Sequence, residues 1–523
     1  MDKNLPDVLT DDVLINAVSV TTYLMLIITS ILFTRYWINA KRESDKVAKS
    51  GGRPLPGPWG LPVFGSMLSL DPSGPHLSLM KLAKVYGHVF KIQMGSRPVL
   101  VLNGLKAIRN ALVKQAVVFA GRPDLLTLKA INSANLFGPS LSFSQYSEEW
   151  KLHRKITETS LRHFTAGSQV PFVESVAKGE AEELVRYLKV PKCERSVDIP
   201  CLVRLSVSNL MLWFMFRKRA SYDDKKFIES INILDGLSEA GSGNLVDFLP
   251  WLRFFSLDSS TGFLEAQKRF NKSVRGLIDE RHELYDPESA QHVFMDEIIA
   301  LGHVSEEDEF QRLGLAGRTV LQNAFDFFGA GLGTTSATLE WAMVHMALFP
   351  KAQYEVQCEI DKVVGRDRLP TLNDREYLPL TQSCLLEIQR YAAVTPFGIP
   401  HSTTKDTILD GYFVPKDMVV FVNLYSANFD PEVWDEPEVF NPRRFLAQDG
   451  ALDDEKMKLL KAFGLGRRRC VGSGLASINL FIYFSTLLHQ LRFSCPEGGE
   501  VNLEFQFGIT LHPKNLNVHI ESR

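Results

Sequence analysis

The sequence is expected to fold as a mainly α protein with small β-sheets, one large domain of residues 67–523 behind a single N-terminal transmembrane helix. Three features predict this. An uncharged run of 22 residues lies near the N-terminus, helical patterning dominates from about Leu105 to Pro396, and short strand-like segments flank that helical block. No internal repeat or low-complexity tract competes with a single-domain reading. The 523 residues are 45% hydrophobic and 23% charged, enough apolar material for a large core and too little charge for a disordered chain. A net charge of -3 gives no overall attraction to nucleic acid, so any basic docking surface must be local. The six cysteines (193, 201, 358, 384, 470 and 495) form no C-x-x-C pair, which argues against a disulfide framework and for reduced thiols facing the cytosol.

In chain order, residues 1–12 carry Asp7, Asp11 and Asp12 and are expected on the lumenal side of a membrane. Residues 13–34, "VLINAVSVTTYLMLIITSILFT", would span about 33 Å as a helix, enough for a bilayer core. Arg35, Lys41, Arg42, Lys46 and Lys49 follow, so the positive-inside rule places the rest of the chain in the cytosol. With no basic n-region and no small-residue cleavage site, the segment reads as a retained signal anchor. Residues 35–66 form a basic linker and a hinge in which Pro54, Pro56, Pro58 and Pro62 forbid regular helix and stiffen the chain. "HVFKIQMGSRPVLVLNG" then reads as two strands around a turn at Gly95 and Ser96. "TILDGYFVPKDMVVFVN" and "FQFGITLHP" supply the later strands.

Within the helical block, "FFGAGLGTTSATLEW" (residues 327–341) is unusual in placing three glycines inside a helix expected from about Thr319 to Phe349 and stopped by Pro350. It is no dinucleotide fingerprint, because counting from Gly329 the sixth position is Thr334, and no Walker loop, because no lysine follows Gly333. The glycines cost such a helix about 3 kcal/mol relative to alanine, which close helix packing or a site beside the helix would offset.

The loop "FGLGRRRCVGSGLA" (residues 463–476) places Phe463, Gly466, Arg468, Cys470 and Gly472 in the spacing F-x-x-G-x-R-x-C-x-G. An isolated cysteine is more often a buried apolar thiol. A ligand cysteine must be a thiolate, which needs backbone N–H groups and positive charge around sulfur, here expected from Arg467, Arg468 and Arg469, with glycines to let the backbone close in. This loop resembles the haem-binding loop of the cytochromes P-450. The resemblance implies that Cys470 is the axial thiolate ligand of haem iron (haem b, iron protoporphyrin IX) and that the whole 67–523 segment is the haem domain.

Other motifs follow in the family's order. Trp150 and Arg154 match its W-x-x-x-R, which implies contact with a haem propionate, and His401 and Arg468 are placed by resemblance near the propionates. Glu387 and Arg390 match E-x-x-R, and Arg444 in "FNPRRF" matches P-x-R-F. The resemblance makes these three a structural network. "AGLGTT" resembles the oxygen-groove motif A-G-x-D/E-T-T, with Ala330 and Gly331 against the cofactor and Thr334 bonding iron-bound oxygen and its water. The glycines would loosen the helix there. Several stretches, among them "VDFLPWLRFF", look most like animal microsomal family 1 members, which oxidise aromatic compounds, with the steroid 17-hydroxylating family next.

The resemblance implies a monooxygenase in the endoplasmic reticulum membrane. It would insert one atom of O2 into a lipophilic substrate with electrons from NADPH through NADPH-cytochrome P-450 reductase, and with cytochrome b5 as a further partner. One departure stands out. Gly333 occupies the usual acidic position, so water or Asp326, about two turns away, would have to replace it, or coupling would be poor. Two alternatives stay open: an isomerase or dehydratase acting on an already oxygenated substrate, and a haem-binding membrane protein without turnover. By family position the substrate pocket is expected to use Phe325, Phe328, Ala330, Leu332, Phe397, Ile399 and Ile509. Lys151, Lys155, Arg162, Arg467 and Arg469 are the expected basic face toward a reductase.

Overall fold

The computed structural model describes residues 41–42, 44–61, 63–134, 138, 140–190, 198–225, 227–229, 231, 245–255, 260–287, 293–304, 321–498 and 501–523, with positions 20, 22–23, 27, 30, 34 and 38 before them. The expected anchor, 13–34, therefore lies almost wholly outside the described residues, as do Thr319 and Val320 at the start of the expected glycine helix. The described part is mainly helical. Seven helices build the site and its support: α1 Glu148–Ala166, α2 Val170–Leu188, α3 Ile199–Phe216, α4 Leu321–Leu348, α5 Pro350–Val364, α6 Pro379–Ala392 and α7 Ser473–Gln490.

Local chemistry sets their ends. Ser147 caps α1 by accepting from the Trp150 N–H at 3.1 Å, and Glu148 and Glu149 sit in the first turn, where the helix dipole favours acid. Pro350 ends α4 and is also the first residue of α5, a position where its missing N–H costs nothing. Asp198 caps α3, and that helix is long and apolar enough to cross a membrane, yet it is mostly buried inside the protein. Its apolar surface is spent on the core between α2 and α4.

The strands are short. β1 Val89–Met94 and β2 Arg97–Leu102 pair antiparallel around the Gly95–Ser96 turn. β3 His401–Ser402, β4 Thr407–Leu409, β5 Tyr412–Val414 and β6 Val419–Val422 follow. The four-stranded sheet runs β1-β2-β6-β3, so β3 brings His401 to its edge opposite Val420. β7 Leu491–Ser494 pairs with β10 His519–Ser522, and β8 Phe505–Gln506 with β9 His512–Pro513.

Glu387, Arg390 and Arg444 meet in the interior. Arg390 Nε and Nη2 donate to the two Glu387 oxygens at 2.7 and 2.9 Å, and Arg444 Nε reaches the same carboxylate at 2.9 and 3.0 Å. The remaining guanidinium N–H groups are taken by the carbonyls of Asn428, Asp435, Glu436 and Val439. This triad ties α6 to the chain leading into the cysteine loop. Removing the shared acid strands two buried cations, so Glu387→Ala is expected to cost about 3–5 kcal/mol in urea denaturation, or to prevent recovery of folded protein. Arg443→Ala breaks only a solvent-facing pair with Glu355 and should change stability by about 0–1 kcal/mol.

His76 and His345 are both buried among aromatic rings. Among the described residues His76 has no hydrogen-bond partner for either ring nitrogen, and it is packed by the rings of Phe397, Tyr425, Phe505 and Phe507. Burial holds its pKa down at about 4, and burial likewise lowers His345 to about 4. The unfolded chain, titrating near the usual ~6.5, takes up protons first as pH falls. Stability should therefore decline from about pH 6.5 toward pH 4, by up to about 1.4 kcal/mol per pH unit for each histidine. His76→Phe should reduce the slope of stability against pH in that window, read from urea midpoints. An unchanged slope would contradict a neutral buried His76.

Candidate functional site

One cavity gathers most of the sequence-predicted site residues. The cysteine loop forms one wall. Gly464 and Gly466 have positive φ (67° and 77°), and a methyl group on Gly466 would lie 2.1 Å from the Leu112 carbonyl, so only glycine fits there. The Cys470 N–H closes the loop by donating to the Phe463 carbonyl at 2.9 Å. Cys470, Phe463 and Gly472 all line the cavity, and Cys470 keeps accessible surface at this deep position.

Burial pushes the Cys470 thiol pKa up, while the Gly472 N–H and the Arg154 charge pull it down. Burial is the largest of these effects, and a coordinating metal would deprotonate the thiol directly. The positive charge near sulfur comes from Arg154 on α1 rather than from the Arg467–Arg468–Arg469 run. Arg468 is committed elsewhere, stacked 4.1 Å over the Trp150 ring and bonded to the carbonyls of Ala120, Leu141 and Ser144.

A second wall is α4. Asn323, Asp326, Phe327, Ala330, Gly331 and Thr334 line the cavity, followed by Thr335 and Thr338. That spacing of three and four is one helical face. Phe325, Phe328 and Leu332, expected in the pocket, lie about half a turn away and are buried in a core cluster instead. Phe328 meets Phe216 of α3, and Phe325 meets Phe270. Phe327 takes the cavity position that was assigned to them. Ile509 also falls outside the cavity: it is 45% exposed, while Leu511 two residues on is buried and bonded to the Val394 carbonyl. Phe397 and Ile399 do line the cavity.

α4 runs unbroken through its glycines, so no interruption accompanies the expected loosening. A methyl on Gly331 would meet Met211 at 2.6 Å, which makes Gly331 the site of close approach between α3 and α4. Gly333 is different: a Cβ there would meet nothing within 4 Å. Thr334 Oγ1 donates to the Ala330 carbonyl at 3.0 Å. Asp326 has both oxygens occupied, by Ser140, Leu141 and Ser142 on one and Gln322 on the other.

At the cavity edge stand Trp150, Arg154, His401, Arg468 and one residue that sequence reasoning missed, Arg122. Arg122 is buried, and among the described residues its side chain donates to carbonyls, those of Ser142, Ile399 and Pro400. Arg468 likewise contacts no carboxylate among the described residues. Burial and the Arg468 charge lower the Arg122 pKa, and burial and Arg154 lower that of Arg468 to about 9. Two desolvated guanidinium groups without a counterion call for an anion in the cavity. His401 bonds through Nδ1 to the Phe119 carbonyl at 2.7 Å, and burial followed by Arg122 keeps it neutral, with a pKa near 3. A dianionic, flat, largely apolar group fits this donor set, with its carboxylates at the arginine edge and a metal at Cys470. Those are the features of haem. Arg122→Leu should then accelerate haem loss to an excess of an apo-haem protein by about tenfold or more, since a charged hydrogen bond contributes about 1.5–3 kcal/mol. Unchanged loss would remove Arg122 from the haem contacts.

Comparison with known proteins agrees. A family model described as Cytochrome P450 matches residues 55–520. Cytochrome P450 1A5 of Gallus gallus is 36% identical over 479 residues, covering 89% of each chain. Cytochrome P450 1A1 of Oncorhynchus mykiss is 36% identical over 523 residues, covering 98% of each chain, and Cytochrome P450 1A3 of the same organism is 37% identical over 486 residues, 90% of this chain and 91% of the relative. With the cysteine loop, the arginine-edged cavity and near full-length similarity in one chain, this protein belongs to the cytochrome P450 family and is a monooxygenase of that family.

Proposed function

We propose that the protein oxidises a lipophilic aromatic, steroid or xenobiotic-like substrate with O2, drawing electrons from NADPH through NADPH-cytochrome P-450 reductase, with cytochrome b5 as a second donor. The observation that carries this reading is that Cys470 and Thr334 line one cavity. Haem held at Cys470 would supply oxygen activation, favoured by electron donation from thiolate. The chain's own residues do the rest. Met211, Phe327, Phe397, Ile399, Leu424 and Leu475 give the cavity its apolar lining, which selects a lipophilic substrate and excludes bulk water. Thr334 offers a hydroxyl on the same cavity as Cys470, held by the Ala330 carbonyl. Arg122, Arg154, His401 and Arg468 would orient the cofactor through its propionates, and Trp150, whose one side-chain N–H is taken by the Leu141 carbonyl, supports Arg468 with its ring.

Electron delivery is supported by the surface next to Cys470. Lys151, Lys155, Arg162, Arg467 and Arg469 are exposed, and Arg154 Nη2 donates to the Arg469 carbonyl at 2.9 Å, joining α1 to the cysteine loop beneath that basic face. An acidic partner would be steered there. Placement in the endoplasmic reticulum membrane, with the 13–34 anchor and a cytosolic catalytic domain, is supported by exposed Trp59, Leu61, Phe64 and Leu68 in the hinge region and by Leu245 and Trp251. The β1–β2 turn joins these segments, with the Gly95 N–H on the Phe64 carbonyl at 3.2 Å and the Ser96 N–H on the Phe248 carbonyl at 3.1 Å.

In reconstituted microsomes, substrate oxidation should require NADPH, reductase and O2 together. Conversion that proceeds without them would instead identify an isomerase or dehydratase. Because a side chain at position 333 meets open space, Gly333→Asp should fold normally and raise product formed per NADPH consumed by about twofold or more, with peroxide release falling in step. An unchanged ratio would show that proton supply does not limit coupling.

A further inference from the structure

Asp326 is the one carboxylate among the described residues lining the cavity. Its surroundings do not suit a proton relay. Oδ2 accepts from the Ser140 hydroxyl at 2.6 Å, the Leu141 N–H at 2.5 Å and the Ser142 N–H at 3.4 Å, and Oδ1 accepts from Gln322 Nε2 at 2.9 Å. Turning the carboxylate toward Thr334, eight residues along the helix and about 12 Å away in rise, would strand buried amides.

The same loop faces the arginines with its carbonyls. The peptide unit whose N–H points from Ser142 to Asp326 has its carbonyl, that of Leu141, on Trp150 Nε1 at 2.8 Å and Arg468 Nη1 at 3.3 Å. The next unit has the Ser142 carbonyl on Arg122 Nε at 2.8 Å, and its Phe143 N–H on Ser140 Oγ at 3.3 Å, the hydroxyl that donates to Asp326. Ser144 adds a carbonyl to Arg468 Nη2 at 2.7 Å. Two consecutive peptide dipoles thus run from one anion toward two cations, and each is polarised at both ends.

We propose that Asp326 is a positioning residue that aligns the 140–144 loop so that its carbonyls fix Arg122, Arg468 and Trp150 around the anionic edge of the cofactor. This rests on the haem reading above. Asparagine can keep the arrangement: its side-chain oxygen accepts the loop donors, and its amide N–H groups meet Gln322 Oε1, which has no partner among the described residues when Asp326 is present. Alanine cannot.

The test is haem loss from full-length holoprotein to excess apomyoglobin, alongside thermal unfolding by circular dichroism and product formed per NADPH. Asp326→Ala should lose haem about tenfold faster than the unsubstituted protein, whereas Asp326→Asn should stay within about threefold and keep its coupling. Haem loss from Asp326→Ala at the unsubstituted rate would overturn the proposal. So would an Asp326→Asn protein that holds haem but loses coupling, because that result marks a proton-transfer group. If Asp326→Ala does not fold, Ser140→Ala decides: faster haem loss, by about threefold, supports the proposal and an unchanged rate overturns it. Failure of the underlying haem reading is separately visible, as absence of a thiolate-type carbon-monoxide spectrum in the unsubstituted protein.

Discussion

Burying guanidinium charge without carboxylates is the constraint on which the site depends. Arg122 and Arg468 are desolvated at the edge of one cavity, and their N–H groups end on carbonyl oxygens. Carbonyls satisfy hydrogen bonds but cancel no net charge, so the fold carries an electrostatic debt that an anionic ligand relieves. The loop at 140–145, the Trp150 indole and the edge strand holding His401 are all arranged around that edge. Cys470 lies on the same cavity, close enough to Arg154 for its charge to pull down the thiol pKa. Placement of a group that is anionic at one edge and metal-bearing at its centre follows from these fixed points together.

The glycines of α4 show how one sequence feature can have several physical causes. Gly331 admits Met211 from α3, so part of the cost of helix glycine is recovered as close packing. Gly333 admits nothing and faces open space. At that position the absence of an acid is a chemical difference from the family pattern, because no steric demand requires it. Asp326, the one carboxylate among the described residues lining the cavity, is engaged by the loop it holds and is not free to fill the role.

Much of the fold and the site was legible in the sequence wherever chemistry demanded short, fixed spacing. The cysteine loop, the Glu387–Arg390 pair and the strand turn at Gly95 are local arrangements, so their residue order carries their geometry. What was missed depends on contacts between distant segments. Arg122 is a lone arginine before a proline, with no periodicity to mark it, and its role appears only when Ile399 and Pro400 are brought beside it. Phe325, Phe328 and Leu332 were misplaced for another reason. Resemblance gave the helix but not the angle, and counting 100° per residue from Thr334 would have selected Phe327. The arginine run beside Cys470 was read as sulfur-stabilising from proximity in sequence alone, yet Arg468 turns away to Trp150. The β7–β10 pair gave no signal because its strands are short and separated by the last hairpin.

The central proposal is that Cys470 would hold the iron of a haem in the cavity that Thr334 also lines. The most direct measurement is the reduced carbon-monoxide difference spectrum of the full-length protein in membranes. The account predicts the strongly red-shifted Soret band that thiolate ligation gives, and its loss in Cys470→Ser. A haem-loaded protein whose carbon-monoxide complex absorbs at the unshifted position, or a Cys470→Ser protein that keeps the red-shifted band, would contradict it.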